Sequence, residues 1–337
     1  MTYALLQIDI YTFSLPKRER INEVSVNECH YPKQKEGLTM KLVRYFDGER
    51  ESYGVLSSGE KTVVCLPSLA KTMNKRLPSR MEAFVTAGER AIKTAEKLIK
   101  KASKRAIGKN SVLVSRIRLL APIAHPPKII CLGLNYRDHA AEQNASIPDE
   151  PIIFLKPHTT IIGPKEDIVK PKFVKELDYE AELAIVTGRK GKNIPVSEAR
   201  KHIFGYTILN DVSARDIQFK DRQWTRGKGF DTFAPIGPCI TTENQMRDTS
   251  NLRIRTWVDG ELRQDSTTRN MVFNVYEIVH HLSRVMTLEP CDIIATGTPA
   301  GVGFAIRPEP KFLKPGSTVR IEIEGIGVLE NMVVEKG

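Results

Sequence analysis

The sequence predicts a mixed, mainly β fold, with a small α+β domain at the front and a larger strand-rich domain behind it. Three observations lead there. Short apolar and β-branched runs recur along the chain, bounded by Gly, Pro and Asp-Gly turns. Helical periodicity is confined to a few stretches and does not alternate with strands as it does in a doubly wound or barrel chain. Prolines gather at Pro122, Pro126 and Pro127, where the composition shifts and a stiff connection is expected. The 337 residues, 41% hydrophobic and 27% charged, suffice for one large or two modest cores.

Residues 1–39 are polar, include Lys17-Arg18-Glu19-Arg20, and show little periodicity. They read as a loosely attached extension, with Met40 as the functional start. The Cys29-His30 pair has metal-capable chemistry but no partners nearby. A β meander follows at 41–46, 53–56 and 62–66, with Asp47-Gly48 as its first turn. A helical portion spans about 80 to 106, its apolar face marked by Ala91, Ala95, Leu98, Ile99 and Ala102. Val112–Leu120 reads as a strand leading to the boundary. The small domain is therefore 40–121 and the main domain 122–337.

In the main domain Ile129–Gly133 and Ile152–Lys156 are strands, with the polar stretch 135–150 between them. Val196–Arg200 starts a short helix with Ser197 as its N-cap. Asp259-Gly260 between Trp257-Val258 and Glu261-Leu262 signals a hairpin. Val275, Ile278, Val279, Leu282 and Val285 mark a helix over 274–286, and 319–330 closes as a second hairpin around Gly325. There are no internal repeats.

Several classes are excluded or disfavoured. No apolar run approaches the roughly 18 residues of a membrane span, and Leu5–Ile10 is too short and unflanked for a signal peptide. The five cysteines are scattered, with no Cys-x-x-Cys, so reduced thiols in a cytoplasmic protein are expected. The net charge of +11 suits nucleic acid, anionic small molecules or simply a Lys-rich surface. Lys93, Lys97, Lys100, Lys101, Lys104 and Arg105 crowd one helix, but aromatics and a nucleic-acid-binding motif are missing there.

Chemistry concentrates in the main domain. In the strand-like run Leu177–Val186, Glu180 and Glu182 are two apart, so they share a face about 7 Å apart. Asp211 ends a second run, Gly205–Val212. Three carboxylates without Cys or His suit a hard ion such as Mg2+, Mn2+ or Ca2+. A solvent-facing row of acids has the same spacing. If 138–144 is helical, His139 and Glu142 share a face and form a general-base pair, or a surface ion pair. Arg215, in Ser213-Ala214-Arg215-Asp216-Ile217-Gln218, suits bidentate recognition of a carboxylate. Lys228 lies between two glycines, on backbone able to approach a ligand closely. Thr296–Gly303 is a small-residue turn offering N–H groups and hydroxyls to an anion, or a tight loop only.

Together, and in this order, these segments resemble the fumarylacetoacetate hydrolase family. The resemblance is carried by Ile130–His139, Phe154-Leu155-Lys156-Pro157, Leu177–Leu183, Asn210–Asp216, Lys228–Pro238 and Thr296–Gly303. It covers roughly 120–337. Residues 40–120 are similar to the family's variable N-terminal domain, and 1–39 have no counterpart.

The resemblance implies a mixed β-sandwich roll as the catalytic domain, and a homodimer. It implies that Glu180, Glu182 and Asp211 hold Mg2+ or Mn2+, which chelates the 2-oxo acid end of a small anionic diketo acid. His139 and Glu142 then belong to a lid and activate water or take a proton, and Lys228 faces a developing oxyanion. Tyr136, Arg137, Arg215, Gln218 and Thr298 are its candidates for holding substrate. The implied activity is hydrolysis of a C–C bond in an acylpyruvate or fumarylacetoacetate-type substrate, through an enolate held by the cation. The same machinery serves 2-hydroxyhepta-2,4-diene-1,7-dioate isomerase or 5-carboxymethyl-2-hydroxymuconate isomerase-decarboxylase activity in aromatic compound breakdown, or oxaloacetate decarboxylation. A basic nucleic-acid binder and an inactive metal-binding scaffold are readings from other classes. The expected partners are a small acid and a second copy of the chain, with neither nucleic acid nor membrane.

Overall fold

The computed structural model describes residues 40–221, 223–246 and 248–336; the extension 1–39, with Cys29-His30, lies outside them. The chain enters as the expected meander, β1 (Lys41–Phe46), β2 (Glu51–Leu56) and β3 (Thr62–Cys65). Its first turn is fixed by Asp47, whose Oδ1 accepts the N–H groups of Glu49 and Arg50. Next comes α1 (Leu66–Thr72), which the apolar run before it does not announce, with a proline in its first turn. α2 (Met81–Lys101) breaks at Gly88 and buries Phe84, Ala91, Ala95 and Leu98, leaving its lysines outward. α3 (Lys104–Lys109) is capped by Ser103. The predicted strand 112–120 is in fact two, β4 (Ser111–Leu113) and β5 (Arg118–Leu120). They pair with β3 and β1 respectively, and a 3-10 turn between them redirects the chain.

Then follow β6 (Ile129–Gly133), α4 (Arg137–Glu142), β7 (Ile152–Lys156), β8 (Ile161–Ile162), β9 (Ile168–Pro171), β10 (Leu177–Asp178) and β11 (Ala181–Thr187). α5 (Val196–Ala199) starts directly after Pro195, so Ser197 sits inside the helix and caps nothing; the fixed φ of proline sets the first turn instead. Next are β12 (Ile203–Asn210), β13 (Ser213–Ala214), α6 (Arg215–Asp221), α7 (Trp224–Lys228) and β14 (Ala234–Thr242). β15 (Arg253–Val258) and β16 (Glu261–Thr267) form the predicted hairpin, with Asp259 and Gly260 both at positive φ. α8 (Val275–Val285) is closed by a capping box between Asn274 and Glu277. β17 (Ile293–Ala295), β18 (Thr318–Ile323) and β19 (Gly327–Lys336) complete the chain.

The strands form a twelve-stranded sheet in the order β4-β3-β2-β1-β14-β12-β11-β17-β6-β7, with β5 on β1 and β8 on β14. A five-stranded sheet, β16-β15-β18-β19-β9, and the small β10-β13 pair accompany it. The fold is mixed and mainly β, as expected. Pairing crosses residue 121, since Leu42 of β1 lies opposite Ile240 of β14.

β11 and β12 are buried on both faces. Leu183, Ile185 and Ile208 enter one core cluster, whereas Ala184, Val186 and Leu209 enter another. The two-residue period of a strand splits them this way. It also sends Glu182 to the face of Ala184, while Glu180 and Asp211 lie just beyond the ends of β11 and β12. Among the described residues no helix is long and apolar enough to cross a membrane.

Candidate active site

Glu180, Glu182 and Asp211 meet where β11 begins and β12 ends. The predicted single strand 177–186 is interrupted at Tyr179-Glu180, because β10 pairs with β13 while β11 pairs with β12. The interruption is stitched by hydrogen bonds: Glu180 N–H donates to Asn210 Oδ1 at 3.0 Å, and Asp211 N–H to the Glu180 carbonyl at 2.9 Å. All three side chains are buried, and one carboxylate oxygen from each lies within 4.8 Å of the others.

Cations surround this cluster. Lys228 Nζ stands 2.8 Å from both Glu180 Oε2 and Asp211 Oδ2. Lys156 Nζ reaches Asp211 Oδ1 at 2.5 Å. The Arg215 guanidinium pairs with Glu180 Oε1 at 2.7 Å and Asp178 Oδ2 at 2.9 Å, and donates to Gln218 Oε1 at 2.9 Å. Burial works against the Glu180 charge, yet Lys228 and then Arg215 outweigh it and hold its carboxyl down at about 2. Glu182 goes the other way. Burial, then Asp211 and Glu180, raise it well above the usual carboxylate range.

The residues present fit a divalent ion. Glu182 Oε2 accepts the Gly297 N–H at 2.7 Å, but Oε1 is buried without a hydrogen-bond partner among the described residues. Such an oxygen is costly unless a cation meets it. Four carboxylates, Asp178, Glu180, Glu182 and Asp211, face three cations, Lys156, Arg215 and Lys228, which leaves one negative charge over. The donors are hard oxygens. The nearby Cys131 thiol is pushed well up by burial and then by Asp211, so it does not compete as a thiolate ligand.

α4 brings the second group. His139 Nδ1 lies 2.6 Å from Glu142 Oε1, and Glu142 Oε2 accepts the Gly301 N–H at 2.9 Å. Gln143 Nε2 stands 2.7 Å from His139 Nε2 and 3.4 Å from the His139 carbonyl oxygen. The carbonyl only accepts, which orients the amide as donor. Nδ1–H therefore donates to Glu142, and Nε2 carries the lone pair.

A small cavity of about 70 Å³ joins the groups; His139, Glu180, Arg215, Gln218, Lys228 and Thr298 all line it. Thr298 Oγ1 accepts from buried Gln264. Two expected substrate-holding residues are placed otherwise. Arg137 is exposed, and its guanidinium donates to the Met271 carbonyl. Tyr136 is fully buried, and its hydroxyl has no partner among the described residues. Burial and then Glu182 raise it well above the usual phenol range.

Sequence reasoning gave no role to Lys156, Asp178, Gln143 or Trp224. Lys156 carried a signal, a lysine closing an apolar strand before a proline. Asp178 also had one, as a third acid beside Glu180 and Glu182 in Leu177–Leu183. Its carboxylate takes the Gly303 N–H at 2.7 Å and the Phe304 N–H at 3.1 Å as well as Arg215.

The sequence matches the fumarylacetoacetate (FAA) hydrolase C-terminal family over residues 128–334. The oxaloacetate tautomerase fahd2, mitochondrial, of Xenopus laevis is 43% identical over 307 residues, 89% of this chain and 92% of that protein. The crystal structure of 2-hydroxyhepta-2,4-diene-1,7-dioate isomerase from Mycobacterium marinum is similar with a TM-score of 0.69 at 37% identity, covering 89% of this chain and all (100%) of that one. The fumarylacetoacetate hydrolase of Exiguobacterium antarcticum has a TM-score of 0.74 at 35% identity, covering 88% and 100%. This chain belongs to the fumarylacetoacetate hydrolase family of enzymes.

Proposed function

We propose, from membership of the fumarylacetoacetate hydrolase family, that this chain is a divalent-metal-dependent tautomerase interconverting the keto and enol forms of oxaloacetate. The observation that carries the reading is the meeting of the His139–Glu142 pair with Arg215, Gln218 and Lys228 around one small cavity beside three carboxylates. The name of the Xenopus laevis relative supports the reaction, and the size of the cavity suits a short acid.

Glu180, Glu182 and Asp211 would hold the ion, Mg2+ or Mn2+, which would supply a Lewis acid that acidifies the C3–H beside a 2-oxo group. His139 moves the proton. Its Nε2 lone pair takes hydrogen from C3, and the C–H electron pair shifts toward the 2-oxo oxygen. Glu142 on Nδ1–H balances the imidazolium that forms, and Gly301 keeps Glu142 in place. Lys228 places an ammonium beside the oxygen that gains charge. Return of the same proton from Nε2 to that oxygen completes the enol, and the reverse order gives the ketone. Arg215 and Gln218 orient the distal carboxylate. Gln143 must swing off Nε2 for this to happen.

A second reading is hydrolysis of an acylpyruvate, favoured by the same base. His139 would deprotonate water, the hydroxide would add to the acyl carbonyl, and the C–C bond would break to leave the acid and a pyruvate enolate, whose carbon takes the proton back from His139. A homodimer in the cytoplasm belongs to the proposal too, although the vertebrate relatives bear mitochondrial names.

Enol-oxaloacetate supplied with Mg2+ tests the two readings. Loss of enol absorbance above the metal-only rate, abolished by EDTA and unaccompanied by pyruvate, supports the tautomerase. Release of pyruvate from an acylpyruvate, with no effect on the enol signal, would replace it by the hydrolase.

A further inference from the structure

The cavity is lined by charged and aromatic side chains together, and one short helix supplies one of each. α7 runs from Trp224 to Lys228, and both of these residues line the cavity. At a spacing of i, i+4 they share a face, with Cβ atoms roughly 5–6 Å apart. A ligand held by the Lys228 ammonium therefore shares its cavity with the Trp224 ring.

The ring is built into that position. A Cβ added at Gly133 would fall 2.0 and 2.5 Å from two Trp224 ring atoms, so the end of β6 is bare where the indole seats. Trp224 stacks edge-on against Phe154 with centroids 5.6 Å apart. Phe154 in turn carries Lys228 Nζ over its face at 5.2 Å. One aromatic thus fixes both the ammonium and the indole, and the distance between them is a property of packed elements rather than of a free side chain.

We propose that Trp224 is the length stop of the substrate site, selecting four-carbon 2-oxo dicarboxylates over longer homologues. The proposal rests on the tautomerase reading and deepens it by naming the residue that sets substrate length. Three more carbons extend a chain by roughly 4 Å at ordinary bond lengths. The cavity is only about 70 Å³ and the packed indole is part of its wall, so a seven-carbon dienedioate held there has to fit its extra length against the ring.

The test compares wild type with Trp224→Ala and Trp224→Phe. The kcat/KM of each is measured with Mg2+ for oxaloacetate and for 2-hydroxyhepta-2,4-diene-1,7-dioate. Binding of the unreactive probes oxalate and 2-oxoheptanedioate is measured by calorimetry. The ratio of long to short substrate is expected to rise by about 10–200-fold in Trp224→Ala. KM for the long substrate should carry most of that change, and oxaloacetate turnover should fall. The affinity ratio of 2-oxoheptanedioate to oxalate should move the same way, with Trp224→Phe intermediate in both. If Trp224→Ala fails to fold, Trp224→Phe carries the comparison alone. Unchanged ratios in a folded variant, for both substrates and probes, would overturn the length stop. Failure of the tautomerase reading looks different: wild type leaves enol-oxaloacetate untouched, while the probe affinities still report on the stop.

Discussion

Glu182 is the residue on which the metal reading turns, because its Oε1 is the buried carboxylate oxygen of the cluster that meets no donor among the described residues. Glu182→Gln should weaken Mg2+ binding by at least the roughly 10–100-fold typical of losing even a supporting group. Calorimetry would measure it, with circular dichroism to check the fold; wild-type affinity would remove Glu182 from the site. Lys228 shares its ammonium between oxygens of Glu180 and Asp211, so it competes with any ion drawn to them. Lys228→Met is therefore predicted to bind Mg2+ more tightly than wild type while losing turnover. Weaker binding would show that the ammonium organises the ligands rather than rivals the ion. His139→Ala should keep its metal affinity and lose about 10²–10⁴ of the rate. The types of these residues were legible in the sequence, since spacing alone put Glu180 and Glu182 on one face. Their partners were not. That Lys156 neutralises Asp211 from 55 positions away is a fact of sheet order, which strand periodicity does not encode.

At the scale of elements, the loop 296–303 does more than its sequence suggests. Its N–H groups hold three separate carboxylates: Gly297 takes Glu182, Gly301 takes Glu142, and Gly303 takes Asp178. The carboxylate triad, the His139–Glu142 pair and the Arg215–Asp178 pair are thereby set by one stretch of backbone. The Gly301 carbonyl accepts from Tyr179, and a Cβ there would meet the Arg263 carbonyl oxygen at 2.0 Å with φ at +102°. Gly301→Ala is predicted to destabilise the fold by about 1–3 kcal/mol and to lower kcat more than metal affinity. A thermal melt and a steady-state assay would check it; wild-type values in both would mean that the loop has slack. A small-residue turn was readable here, and a use for its amides was an open option. Which anions it would meet depended on contacts more than a hundred residues apart. The break at Tyr179-Glu180 was hidden for a similar reason. A run of apolar and acidic residues reads as one strand until two different partners claim its halves.

At the scale of the whole molecule, the site's four buried carboxylates against its three cations make stability depend on pH and metal together. Glu182 is raised above its ordinary 4.5, so the folded state binds its proton more tightly than the unfolded chain does. Its ionisation then opposes folding, and stability falls as pH rises from about 4.5 through the folded value. Glu180 is depressed to about 2, and the stability it contributes is lost only as pH falls below 4.5 toward that value. Above pH 4.5 the Glu182 effect therefore governs this pair. Protein stripped with EDTA should melt at a lower temperature at pH 8 than at pH 5.5, and Mg2+ should raise the pH 8 value more. Equal melting temperatures under all four conditions would contradict the charge balance. Fold class and family were readable because the motifs fall at strand ends and turns, where residue type is dictated locally. The sharing of one sheet by β1–β5 and the strands that bring the carboxylates together was not, since β1 meets β14 only in three dimensions.

The measurement that tests the central claim most directly is proton exchange at C3 of oxaloacetate in D2O, followed by NMR with Mg2+. Wild type should exchange C3–H faster than the metal-only control without breaking the carbon chain, and both EDTA and His139→Ala should return exchange to that control. Exchange no faster than the metal-only control, with cleavage of an acylpyruvate under the same conditions, would contradict the tautomerase account.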